Sequence, residues 1–269
     1  MHVLVTGATG AVGRFVVPAL AAAGHRVTTL GRAGDVRWRL GDSTRIPAAD
    51  ALVHLALAHV PGAYRGGEGD DPDGFRRLNL DGTLRLFDAA GDARIVFLSS
   101  RAVYGDHRRG ETLRETDPPA PDSLYGEVKR AAETALAGRG ASIRATGVYG
   151  GSPHKWQALF TAYLRGDPIP PRCATELHGA DLAAAVLLLL DRAETGAFNA
   201  SDLLLDRHDL LARVQALTGC PHPPPPRAAP PPPGVMDTTR LRALGWTASG
   251  LAGLDRFLAA DLSSPGSPA

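Results

Sequence analysis

The chain opens on a short apolar run, His2 to Thr6, followed by closely spaced glycines and a helical pattern from Val12 to Ala23 that Gly24 closes. His25 to Leu30 reads as a second strand, Val36 to Leu40 as a weaker third and Ala51 to Ala56 as a fourth. Phe75 to Ala90 has helical spacing, with Leu78, Leu84, Leu86 and Phe87 on or near its buried face. Arg94 to Ser99 is a continuous apolar strand, Leu124 to Ala137 a helix and Ile143 to Thr146 a further strand. Strands alternating with helices predict a parallel sheet covered on both faces.

Past Gly150 the pattern loosens. Lys155 to Arg165, Asp181 to Asp191 and Asp206 to Thr218 have helical spacing, and Ala197 to Ala200 reads as a short strand. Between Pro221 and Pro233, nine of thirteen residues are proline, so the segment is predicted to be an extended, polyproline-like connector. Leu241 to Trp246 and Leu251 to Leu262 suggest a last helical unit, and 263–269 a frayed tail. The expected organisation is a unit over 1–150, to which about 175–200 returns, and a second region over 151–262.

Composition changes this picture little. Hydrophobic residues make up 44% and charged residues 21%, enough for a sizeable core. With 29 basic and 28 acidic residues the formal charge is +1, which gives no reason to expect a nucleic-acid or anionic-membrane partner. Two cysteines, Cys173 and Cys220, are too few for a disulfide framework or a metal cluster. The first residues lack the pattern of a secretion signal, and the longest apolar stretch, Ala183 to Leu190, is short of a membrane span, so a cytoplasmic location is expected.

The chemistry begins at Thr6-Gly7-Ala8-Thr9-Gly10-Ala11-Val12-Gly13. Glycines between a first strand and a first helix suit a dinucleotide: they allow a tight turn, close approach of backbone to pyrophosphate, and helix–strand packing. Gly7, Thr9, Gly10, Ala11, Val12 and Gly13 are therefore candidate cofactor contacts, with the helix N-terminus facing the phosphates. The second strand ends in Leu30-Gly31-Arg32, without the carboxylate that usually holds an NAD ribose, so Arg32 favours NADP over NAD. Arg14 is a candidate helper, Asp42 a candidate adenine contact and Asp35 a weaker ribose candidate.

A second constellation lies downstream. The strand through Ser99 and Ser100 ends in hydroxyls at its C-terminal edge, where ligands bind in an open α/β sheet. Tyr125 and Lys129 are four apart on a helix and so share one face. A phenol titrates near 10, too high for a base at neutral pH, and a neighbouring ammonium lowers that value. Tyr125 then exchanges a proton with a substrate oxygen, and Ser100 orients and polarises the same oxygen.

Taken together with HLA at His54 to Ala56, NLDGT at Asn79 to Thr83, SSRAVYG at Ser99 to Gly105 and RATGVYG at Arg144 to Gly150, these pieces resemble the extended short-chain dehydrogenase/reductase family of NAD(P)-dependent epimerases, dehydratases and reductases. The resemblance spans about the first 150 residues. It implies a Rossmann-type doubly wound parallel sheet with a small C-terminal substrate-binding region. It implies Ser100, Tyr125 and Lys129 as catalytic residues, with Leu55, Ala56, Ser99, Tyr125 and Lys129 also against the cofactor. It further implies a small-molecule substrate and a homodimer through the helix carrying Tyr125 and Lys129. Asp181, in HGADLA at His178 to Ala183, takes a supporting role, and Arg240 to Thr247 resembles the family's C-terminal "LGW" segment.

Departures from the family narrow the reaction. Dehydratases of the family carry Asp-Glu after the catalytic hydroxyl, whereas this chain has Arg101-Ala102, which argues against dehydration. The expected function is hydride transfer at a carbonyl or alcohol carbon of a sugar-like or other small polar substrate. The alternatives are a nucleotide-sugar epimerase that retains its cofactor and a non-catalytic NADP-sensing protein. Arg144, Lys155, Arg165 and Arg172 stand as phosphate or acid partners or as surface charge, and His154 and Trp156 as pocket lining, core or surface.

Overall fold

The computed structural model describes residues 1–42, 45–60 and 68–263, so the tail over 264–269 lies outside the described residues. In chain order the elements begin with β1 (His2–Thr6), α1 (Gly13–Ala22), β2 (Arg26–Gly31), β3 (Val36–Arg37), β4 (Ala51–His54), α2 (Pro72–Arg76), α3 (Gly82–Ala89), β5 (Arg94–Ser100), β6 (Thr112–Leu113), α4 (Leu124–Leu136) and β7 (Gly140–Ala145). They continue with β8 (Gly147–Tyr149), α5 (Gln157–Leu164), β9 (Cys173–His178), α6 (Gly179–Arg192), β10 (Gly196–Ala200), β11 (Leu203–Asp206), α7 (Arg207–Thr218), β12 (Val235–Met236), α8 (Thr239–Ala243) and α9 (Gly250–Leu262).

Seven strands form one parallel sheet in the order β10-β7-β5-β4-β1-β2-β3, the Rossmann arrangement expected. Alternation along each strand divides its side chains between two cores. Val3, Val5, Val53 and Val96 pack with residues of α1 and α6, while Leu4, Leu52, Ile95 and Phe97 pack with residues of α3 and α4. A third cluster, including Tyr149, Trp156, Phe160, Leu211 and Leu258, joins α5, α7 and α9 beyond the sheet. No helix among the described residues is long and apolar enough to cross a membrane.

The helical stretch expected over Phe75 to Ala90 is interrupted. Residues Arg77–Asp81 form a wide π turn between α2 and α3. Asn79 explains it: its Nδ2 donates to Phe75 O at 3.1 Å and to Ala58 O at 2.8 Å, and its Oδ1 accepts from Ala58 N at 2.7 Å. A side chain that ties the helix to the chain after β4 displaces the ordinary ladder. Asn79 and Thr83 thereby take buried positions, and Leu78, expected inside, is 38% exposed. The third strand is also shorter than expected, ending at Arg37, and Trp38 packs in the core beside Leu30 and Leu52.

The proline-rich segment is extended, with neither helix nor ladder from 221 to 233, but it does more than connect. Proline has no N–H, so the segment can supply few donors to itself, and several of its carbonyls accept from other parts of the chain. Tyr163 and Gln215 donate to His222 O, His208 Nδ1 meets Pro225 O at 2.8 Å, and Gly110 N donates to Pro232 O at 2.8 Å. The strap then enters β12, which runs parallel to β6. A small three-stranded sheet, β11-β9-β8, also escaped the hydrophobic pattern, since Thr175 and Glu176 put polar residues at buried positions.

Candidate active site

Two structures meet at the C-terminal edge of the main sheet: the turn between β1 and α1, and the facing ends of β5 and α4. In the turn Gly7 has φ +70°, and a Cβ there would lie 2.8 Å from Ala56 N and Leu55 C. At Gly13 a Cβ would lie 2.3 Å from Gly7 O and 2.4 Å from Ala8 O. Both positions therefore demand glycine, and the chain after β4 is drawn directly against the turn. Gly10 N donates to Gly7 O at 3.0 Å, Thr9, Gly10 and Ala11 are exposed, and α1 starts at Val12 and Gly13 without a side-chain cap. An open backbone cradle at an uncapped helix N-terminus fits a pyrophosphate.

A buried relay fixes that approach. Thr6 Oγ1 accepts from Leu55 N at 3.1 Å and Ala56 N at 3.2 Å, so its proton goes to His54 Nδ1 at 2.7 Å. His54 must then carry its proton on Nε2, which meets Thr83 Oγ1 at 2.9 Å, and Thr83 donates onward to Asn79 O at 2.7 Å. Complete burial, with a smaller contribution from the Lys129 charge, lowers the His54 pKa to about 3, so the ring stays neutral. The sequence marked HLA and NLDGT only by resemblance; in space they form one chain of hydrogen bonds.

The second half is built on β5. Ser100, its last residue, caps the 3-10 turn Arg101–Tyr104 by accepting from Ala102 N at 3.2 Å, which leaves its hydroxyl proton to donate. Ser99 turns the other way, 2% exposed, and its Oγ has no hydrogen-bond partner among the described residues. Ser123 caps α4, and Gly126 lets that helix close on the turn behind Ser100, since a Cβ would lie 2.5 Å from Ala102 O. Lys129 is 4% exposed, and its Nζ donates to Leu98 O at 2.7 Å. The same Nζ stands 4.6 Å from the Phe97 ring centroid and 5.9 Å from that of Tyr125. Burial pulls the Lys129 pKa down to about 7, with the Glu133 carboxylate opposing. Leu98 O and Phe97 were invisible to motif reading because a backbone carbonyl and a core ring carry no signature.

The remaining candidates separate. Arg32 is exposed immediately after β2, free of any ion pair among the described residues. Asp42 is exposed and accepts from Arg39 N at 2.8 Å, and the Asp35 carboxylate is engaged by Thr29 N and Oγ1, both at 2.8 Å, which hold its pKa down. Arg14 Nη1 donates to Pro153 O at 2.9 Å, which ties the start of α1 to the chain after β8.

Arg144, His154, Trp156 and Asp181 prove structural, while Lys155, Arg165 and Arg172 lie nearer the surface. Arg144 is buried, paired with Glu133 at 2.8 Å and donating to the Tyr104 hydroxyl at 2.8 Å, so it is neither surface charge nor a phosphate partner. Arg165 is exposed and paired with Asp167, Arg172 is exposed, and Lys155 pairs with Glu176. His154 is held by Asp261 at 3.1 Å, and Trp156 stacks on Tyr149 at 4.9 Å, so both belong to the third core. Asp181 accepts from Ser249 N and Oγ, docking α9 as its supporting role implied. Arg101, following Ser100, is buried, with Nε on Gly234 O at 3.0 Å and Nη1 on Asp106 at 2.9 Å, and so holds the proline-rich strap against the end of β5.

The model of the NAD dependent epimerase/dehydratase family matches residues 3–200. The chain is 35% identical to L-arabinose 1-dehydrogenase (NAD(P)(+)) of Haloferax volcanii over 48% of this chain and 57% of that protein. It is 29% identical to ceramide reductase of Caulobacter vibrioides over 82% of this chain and 69% of that protein. The matched stretches thus span between about half and two thirds of these relatives' own lengths. Among solved structures, UDP-glucose 4-epimerase of Thermus thermophilus in complex with NAD superposes with a TM-score of 0.75 at 26% identity, covering 96% of this chain and 97% of that one.

Proposed function

The chain belongs to the NAD-dependent epimerase/dehydratase family, and on that premise we propose that it is an oxidoreductase acting at the alcohol or carbonyl carbon of a sugar-like substrate, with Tyr125 as acid/base. The observation that carries the reading is Lys129, buried, anchored on Leu98 O and set beneath the Tyr125 ring on the edge where Ser100 ends β5. The division of labour that goes with it gives dinucleotide binding to 1–150 with 175–200, and substrate binding mainly to 151–262.

Gly7, Thr9, Gly10, Ala11, Val12 and Gly13 would cradle the pyrophosphate, Leu55, Ala56 and the backbone of Ser99, whose side chain is buried, would line the dinucleotide, and Asp42 would face the adenine. Arg32 would hold a 2′-phosphate, which favours NADP, and Lys129 the nicotinamide ribose. When bound, the nicotinamide supplies or accepts the hydride at the substrate carbon. Tyr125 gives or takes the proton on the attached oxygen, and the Ser100 hydroxyl donates to that oxygen. Lys129, by its positive charge, favours the phenolate form of Tyr125. Arg101, committed to the strap, offers no acid or base for dehydration.

The test is a panel of sugars and small carbonyl compounds followed at the absorbance of reduced nicotinamide with both cofactors. Stoichiometric conversion of NADP or NADPH is the expected result. Sugar interconversion without net cofactor turnover would instead establish the epimerase alternative, which the likeness to UDP-glucose 4-epimerase favours. In the same assay Arg32→Ala is expected to weaken NADPH about tenfold or more, the scale of a lost charge-assisted phosphate contact, and NADH hardly at all. Equal weakening of both would remove the argument for the phosphate.

A further inference from the structure

We infer that the Lys155–Glu176 ion pair recognises adjacent hydroxyls of the substrate, so that the preferred substrate is a neutral polyol or sugar, not its carboxylated or phosphorylated counterpart. The inference rests on the oxidoreductase reading above and narrows it.

The placement follows from register. Ala145, at the end of β7, lies opposite Ser100 of β5. Thr146 secures the turn that follows, its N donating to Ala200 O at 3.2 Å and its hydroxyl to Thr175 O at 2.6 Å. Gly147 comes next and is exposed. One strand spacing and two residues of chain keep its Cα within about 12 Å of that of Ser100. Where a side chain at 147 would begin, the ion pair stands instead: a Cβ there would lie 2.7 Å from Lys155 Nζ and 2.8 Å from Glu176 Oε2.

Glu176 faces Gly147 across the β8–β9 ladder and its side chain is 7% exposed, while that of Lys155 is 29% exposed. The pair is therefore rooted in protein and open where Gly147 has no side chain. Burying the Glu176 end of the pair has a desolvation cost that the attraction to a partly exposed Lys155 offsets only in part. Binding explains its presence better than stability does. An ammonium has three donors and a carboxylate about four acceptor sites, so a single mutual contact leaves both with capacity. A donor beside an acceptor matches a pair of neighbouring hydroxyls, each of which both gives and accepts. A ligand carboxylate or phosphate placed there would meet the Glu176 carboxylate. Arg172, an exposed cation, also acts on both groups, so discrimination against anions rests on the Glu176 carboxylate itself.

The experiment compares D-galactose and L-arabinose with D-galacturonate and D-galactose 6-phosphate, using the full chain with NADP or NAD. The parent should show kcat/KM at least tenfold higher on the neutral sugars. Glu176→Gln and Lys155→Met should each raise KM for the neutral sugar about tenfold or more, with kcat changed much less and the dinucleotide Kd unchanged, which also reports a folded site. Glu176→Gln should in addition narrow the preference against galacturonate. A parent that prefers the anionic sugars overturns the inference without recourse to any variant. So does a neutral-sugar KM that ignores both substitutions while turnover persists, and either result leaves the oxidoreductase reading standing. Conversion of no sugar by the parent overturns that reading and this inference with it.

Discussion

Tyr125→Phe is expected to lower turnover by roughly two to four orders of magnitude, the range that a positioned acid or base contributes. Only the phenolic oxygen is lost. The ring remains, so its packing near Lys129, 5.9 Å from the ammonium to the centroid, and the geometry of α4 should persist. The dinucleotide cradle is built from glycine backbone and the Thr6–His54–Thr83 relay, none of which touches that oxygen. Dinucleotide affinity, read by fluorescence titration, should therefore stay within about twofold while steady-state turnover collapses. A variant that retains the parent's rate would remove Tyr125 from the chemistry.

Lys129→Met separates function from stability in opposite directions. The ammonium is buried, and its folded pKa of about 7 lies below the ordinary 10.5. A lysine with a depressed folded pKa destabilises fully below that value, where the folded state must carry the buried charge. The cost fades as pH rises from about 7 to 10.5, because the folded chain releases its proton before the unfolded one does. At about 1.4 kcal/mol per unit, the cost near neutrality is a few kcal/mol, partly offset by the bond to Leu98 O. Methionine should accordingly raise the melting temperature at pH 6–7 and flatten the rise of stability between pH 7 and 10.5. Turnover should fall at least a hundredfold, because nothing then favours the phenolate. Loss of both activity and melting temperature at pH 6–7 would mean that Lys129 is retained for folding instead.

How much of this was legible in the sequence depends on the range of the interaction concerned. The glycine turn, the strand ending at Ser100 and the four-residue spacing of Tyr125 and Lys129 are local, and their elements formed within a residue or two of the expected ends. The interrupted helix at Arg77–Asp81 was not legible, because it depends on Asn79 reaching Ala58, twenty-one residues away. Nor was the fate of the cationic candidates. Arg14, Arg101, Arg144 and Lys155 look alike as letters, and only their partners, Pro153, Gly234, Glu133 and Glu176, distinguish a clasp from a binding group.

By itself, then, the sequence determined the sheet, the glycine turn and the candidate reactive groups, since period-two and period-3.6 patterns and tight turns are set by neighbours along the chain. The tertiary structure alone decided the state of those groups. It buries Lys129 on a carbonyl of β5, keeps His54 neutral, commits Arg101 to the strap, and sets the Lys155–Glu176 pair where a side chain at Gly147 would begin. Desolvation and hydrogen bonding between distant segments set charge and accessibility, and neither is a property of local spacing.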